Sequence, residues 1–176
     1  MTLVRWTKGC TQSELDRVQR RFGLVFPPDL VALLRRKRPV EGHDWTDERA
    51  IKRALDWPFE GLLYSVEHGQ LWWPEWGKIP SSARAREQVL REIVSLAPKL
   101  IPLIGHRYLP EQPHETGNPI FSIYGADAIY YGTNLKDYFE REFTGWNNKP
   151  WPVQIKHIPF WSDLVERFGQ NQNHST

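Results

Sequence analysis

Leu100–Ile104 (LIPLI), Pro119–Tyr124 (PIFSIY) and Ala128–Tyr131 (AIYY) decide the fold. Each is a short apolar run rich in β-branched and aromatic residues and bounded by Gly, Pro, Asn or Asp, the composition of buried strands joined by turns. Between the first and second runs, Gly105-His106-Arg107-Tyr108 sets polar side chains at the rim of the predicted sheet. Upstream, LLYSVE and QLWW flank His68-Gly69 in the manner of a two-residue hairpin, which predicts two further strands.

Helical signals surround these strands. Thr11-Gln12-Ser13-Glu14 has the form of a capping box, with Leu15, Val18 and Phe22 at helical spacing before Gly23. Pro27-Pro28-Asp29 opens a second helix carrying Leu30, Leu33 and Leu34 on one face and ending near Pro39. Val40 to Trp45 reads as a loop, and a short helix from Thr46-Asp47 is expected to stop at Pro58. Ser81-Ser82 caps what should be the longest helix, with Val89, Leu90, Ile93 and Leu96 in register. Asn134 caps another bearing Leu135, Tyr138 and Phe139, and Trp151 to Ile158 is expected to be extended. Leu164, Val165 and Phe168 lie on a closing helix, followed by a polar, mobile tail over residues 169–176. Helices before, between and after hairpin-connected strands predict an α+β fold, a single domain over residues 1–176 built on a largely antiparallel sheet.

The chain has 176 residues, 40% of them hydrophobic and 25% charged, enough to bury one core without disulfides or metals. Cys10 is the only cysteine, so no internal disulfide can form. The first ten residues lack an apolar run of signal-peptide length, and no later run reaches the roughly 20 residues needed to span a bilayer. A cytoplasmic location is expected, with no membrane association. The 23 basic and 21 acidic residues balance to +2, too even for a broad positive field toward nucleic acid, so no direct nucleic-acid binding is expected. Arg35-Arg36-Lys37-Arg38 concentrates charge at a predicted helix end, where cations meet the negative end of the helix dipole.

RFGLVFPPDLVALL, LDWPFEGLLYSVE, WWPEWG, KLIPLIGHRYLP, GNPIFSIYGADAIYYG and DYFEREF, in this order from about residue 11 to 168, resemble bacterial members of the SUKH superfamily, the Smi/Knr type named after yeast cell-wall (glucan) synthesis regulators. The resemblance implies an α+β fold and a non-enzymatic, protein-binding role. In bacteria that role is typically an immunity protein that neutralises a toxin; in eukaryotic relatives it is an interaction scaffold in cell-wall signalling. The even charge balance departs from the acidic surface expected where an immunity protein blocks a nuclease.

Two groups stand out as partner-binding candidates. Trp72, Trp73 and Trp76 supply either an exposed aromatic anchor or part of the core, since adjacent residues of a strand point to opposite faces. His106, Arg107 and Tyr108 offer a polar hot spot or small anion site; the structural alternative pairs Arg107 with Asp127 or Glu111 while His106 braces the loop. A hydrolase using His106, Arg107 and a carboxylate such as Asp127 or Glu115 is the competing functional class. No cofactor and no metal site is expected, because the six histidines are scattered and His114-Glu115 is the closest approach to a ligand pair. No nucleophile elbow, phosphate loop or dinucleotide fingerprint occurs.

Overall fold

A computed structural model describes residues 5–144 and 150–172. Leu100–Pro102 (β3), Arg107–Pro110 (β4), Ile120–Tyr124 (β5) and Asp127–Gly132 (β6) pair antiparallel in chain order. Gly125 makes the tight β5–β6 turn possible by taking φ 63° between the paired residues Tyr124 and Asp127. A register shift near Ile120 and Phe121 leaves Tyr131 as the extra residue on β6.

Alternation along the strands divides the molecule into two cores. On one face Leu100, Tyr108, Phe121, Ile123 and Ala128 meet Leu62, Leu90, Trp161 and Leu164. These last come from α3 (Glu48–Glu67), α4 (Ala83–Ser95) and α6 (Trp161–Gln172). On the other, Ile101, Leu109 and Ile120 meet Leu15, Leu30, Leu34, Leu135 and Tyr138. Those side chains belong to α1 (Gln12–Phe22), α2 (Pro28–Arg36) and α5 (Leu135–Thr144). Burial on both faces explains why the strands read as unbroken apolar runs. The α+β class is therefore as expected, and among the described residues no helix is long and apolar enough to cross a membrane.

Local capping follows the sequence closely. Thr11 and Glu14 form the reciprocal capping box, Gly23 closes α1 at φ 61°, Ser82 accepts from the Ala85 amide, and Asn134 Oδ1 accepts from the Asp137 amide at 2.9 Å.

The predicted hairpin around His68-Gly69 is instead the end of α3, the longest helix at 20 residues against 13 for α4. Ile51, Ala54, Pro58, Leu62 and Val66 are buried at helical spacing, so one continuous face runs through the expected stop at Pro58. A proline inside a helix lacks the N–H that would bond the carbonyl four residues earlier. Here that carbonyl belongs to Ala54, and the Tyr108 hydroxyl donates to it at 2.7 Å. His68-Gly69 then terminates the helix: Gly69 takes φ 69°, its amide donates to Val66 O, and the Gln70 amide donates to Ser65 O. Tyr108→Phe is expected to cost about 1–2 kcal/mol by orphaning the Ala54 carbonyl. Equilibrium urea unfolding measures it; an unchanged midpoint would mean the carbonyl finds another donor.

Other expectations also shift. Trp6–Lys8 (β1) pairs antiparallel with Lys37–Pro39 (β2), a two-stranded sheet absent from the sequence expectation, so Lys37 and Arg38 of the basic run lie on a strand and only Arg35 and Arg36 end a helix. Residues 151–158 form no strand. Helix α6 continues to Gln172, into the segment expected to be a mobile tail, whose residues 173–176 lie outside the described residues.

Candidate interaction surface

The second sheet face is covered only in part. Beyond Ile120 and Leu109, a cross-strand row of Arg107, Ser122 and Ile129 runs out from under α5. The next residues toward the β5–β6 turn are Tyr124 and Asp127. Tyr124 is 64% exposed and Ile129 40%. Trp57, on α3, packs edge-on against Tyr124 at 5.6 Å and is 40% exposed, with its indole N–H held by the Ile123 carbonyl at 3.1 Å. His106 meets the same Tyr124 ring edge-on at 6.0 Å. Three large apolar side chains are thus exposed at one end of a sheet, and the indole of Trp57 is held there by its hydrogen bond to the backbone.

Close backbone contact packs this end against α3. Gly61 of α3 lies under the turn, where an added Cβ would stand 2.9 Å from Gly125 N, and Ser65 Oγ accepts from the Ala126 amide at 3.0 Å. Gly61→Ala should gain about 1 kcal/mol of helix propensity and lose about 1–3 kcal/mol to the clash. A net loss of about 1 kcal/mol is therefore expected in thermal unfolding, whereas a stabilised variant would show that the turn gives way.

Beside the aromatics, Arg107 stacks on the Tyr131 ring at 3.8 Å, lies 3.8 Å from Glu142, and donates to His106 Nε2. Its acidic neighbour is therefore Glu142, not the expected Asp127 or Glu111; the Glu111 carboxylate instead accepts from the Val25 amide at 3.0 Å. Burial, and then the Arg107 charge, hold His106 below the ordinary imidazole value. The His106 carbonyl accepts from the Ile123 amide at 3.1 Å, which extends the β4–β5 pairing by one residue. Tyr108 is not part of any surface: it starts the core side of β4, is buried, and its hydroxyl is pushed above the tyrosine range by burial.

Trp72, Trp73 and Trp76 sit elsewhere, around a 3-10 turn at Pro74–Trp76, all half-buried and packed against the first core. Their rings contact one another, Trp73 also meets Phe160 at 5.4 Å, and the Trp72 indole donates to Gly77 O at 2.8 Å. Arg167 covers Trp73 at 4.2 Å while binding both carboxylate oxygens of Glu75. The aromatic density here is largely spent on the fold. Arg167 pulls the Glu75 carboxyl down from an ordinary 4.5 to about 2. Its contribution is complete above the ordinary value and is lost as pH falls from there through about 2. Tryptophan emission should change over that acid window, and Glu75→Gln should remove this component; an identical profile in the variant would assign the change to other groups.

Neither His106 nor Arg107 lines the cavities of about 410, 940 and 260 Å³. Glu115 is engaged by Lys156 at 2.7 Å. Among the described residues, the nearest approach to a metal centre is His157, Asp163 and Glu166, whose ligand atoms lie within 4.8 Å of one another, not His114-Glu115. Asp163 is already committed, accepting from the Phe160 amide at 3.0 Å and contacting His157 Nε2 at 2.9 Å. Comparison with protein families, curated proteins and solved structures finds no match.

Ile129 escapes sequence reasoning because nothing local marks it as exposed. Trp57 sits in a helix whose neighbours Pro58 and Leu62 are core, and only the placement of the β5–β6 turn leaves its ring at the surface.

Proposed function

We propose that this protein is a binding domain of the SUKH, Smi/Knr type that acts by occluding a protein partner, with a toxin domain as the first candidate and immunity as the outcome. The observation that carries this reading is the exposed trio Trp57, Tyr124 and Ile129, held on a sheet end packed against α3 with Arg107, Glu142 and Asp127 around it. Tyr and Trp are enriched at interface hot spots because they bury large areas at little entropic cost, and Arg contributes directional polar contacts. The α+β class is also the one that the family resemblance implies.

The mechanism needs no chemistry beyond complementarity. A partner covering the aromatic trio buries apolar area, while the flanking charges select which partner fits. Capture from the native host with wild-type protein, compared with a Trp57→Ala/Tyr124→Ala variant of unchanged circular dichroism, tests the proposal. Retention of one defined protein by the wild type alone supports it, and protection of host cells from that protein establishes immunity. Equal capture by both would move the interface elsewhere.

A further inference from the structure

We infer that the hollow between α2, β2 and α5 is a second docking groove, one that accepts an acidic amphipathic helix of a partner protein. The trough has a volume of about 940 Å³ and a floor built from Trp6, Leu33, Leu135, Phe139 and Phe143. Trp6 and Phe139 meet at 5.0 Å, which joins the small sheet to α5 across the floor. Its walls are helices of 9 and 10 residues. At 1.5 Å per residue they run for roughly 13–15 Å, the length of two to three turns of an inserted helix with apolar anchors at i, i+4 and i+7.

Charge selects the occupant. The change from α2 to β2 inside the basic run carries Arg36 and Lys37 to the rim, opposite Lys136 of α5. Two acids share the rim, Asp29, which accepts from the amides of Leu30 and Gly117, both at 3.0 Å, and Glu140, 3.8 Å from Lys136, so the three cations exceed the acids by one charge. Among the described residues Arg36 and Lys37 form no ion pair, and the Lys37 ammonium rests on the Trp6 ring at 3.9 Å. A net positive rim above an apolar floor attracts a ligand that is acidic on its flanks and apolar at its centre. A nucleic acid would satisfy the rim and leave the floor uncovered, and a bilayer would not enter a trough.

The groove does not rest on the surface proposed above, and the test separates the two. A fluorescent helical peptide of about 15 residues, with Leu and Phe at i, i+4 and i+7 and Glu on its flanks, is titrated against the full chain by anisotropy. A twin carries Lys in place of Glu. The acidic peptide should bind at least about tenfold more tightly, weaken with added salt, and shift tryptophan emission in the wild type but not in Trp6→Phe. Arg36→Glu with Lys37→Glu should invert the preference, Phe143→Asp should abolish binding, and Trp57→Ala/Tyr124→Ala should leave it intact. Equal affinity for the two peptides, no binding of either at millimolar concentration, or charge reversal without effect would overturn the inference. Preferential binding of a single-stranded oligonucleotide or of anionic phosphatidylserine vesicles, or self-association lost in Phe143→Asp, would overturn it in favour of another occupant.

Discussion

Arg141→Met should lower the free energy of unfolding by about 3–5 kcal/mol, the largest effect expected of a single substitution in this chain. Arg141 and Asp137 are 2% and 3% exposed and meet at 2.9 Å one helical turn apart on α5. Removing the guanidinium takes the cation at 2.9 Å from a buried carboxylate that also accepts from the Thr133 amide and hydroxyl, at 2.9 and 3.1 Å. The same guanidinium lies 3.9 Å over the Trp151 ring and donates to Pro150 O at 3.2 Å, so its loss also removes these two contacts. Substituting both partners, Arg141→Met with Asp137→Asn, should recover much of the loss, because the penalty comes from the buried charge that has lost this cation rather than from the pair itself. Guanidinium unfolding of the three variants closes the cycle. A single-mutant loss below about 1 kcal/mol would mean that water reaches Asp137.

Trp57→Ala combined with Tyr124→Ala is the counterpart on the functional side: binding should weaken by about 2 kcal/mol or more while stability changes little. Both rings stand mostly outside the cores, so their removal opens no internal cavity. Trp57 does anchor itself through Ile123 O, a carbonyl at the strand end that water can satisfy once the indole is gone. Trp73→Ala makes the contrast: its ring packs on Phe160 and under Arg167, and its removal should be felt in unfolding before it is felt in binding.

Strand β5 was legible because Ile120–Ile123 are buried on both sides and carry no competing helical period. Helix α3 was not, because its proline break is repaired from β4. No window around Pro58 contains Tyr108, 50 residues later, and without that hydroxyl the local rule for proline holds. The β1–β2 pair escaped notice because three-residue strands separated by α1 and α2 leave no periodic signal. For the site, Arg107 opens β4 with His106 just before it, whereas the tryptophan cluster drew attention by density alone. Exposure is a tertiary property: Trp72, Trp73 and Trp76 face their own fold, while a solitary Trp57 faces outward.

In the proposed mode of action, the open sheet end grips a protein partner through Trp57 and Tyr124. Isothermal titration of the partner captured by the wild-type protein against the wild type and the Trp57→Ala/Tyr124→Ala variant tests it most directly. A loss of affinity of about 30-fold or more with an unchanged melting temperature is the predicted result, and equal affinities of the two proteins for that partner would contradict it.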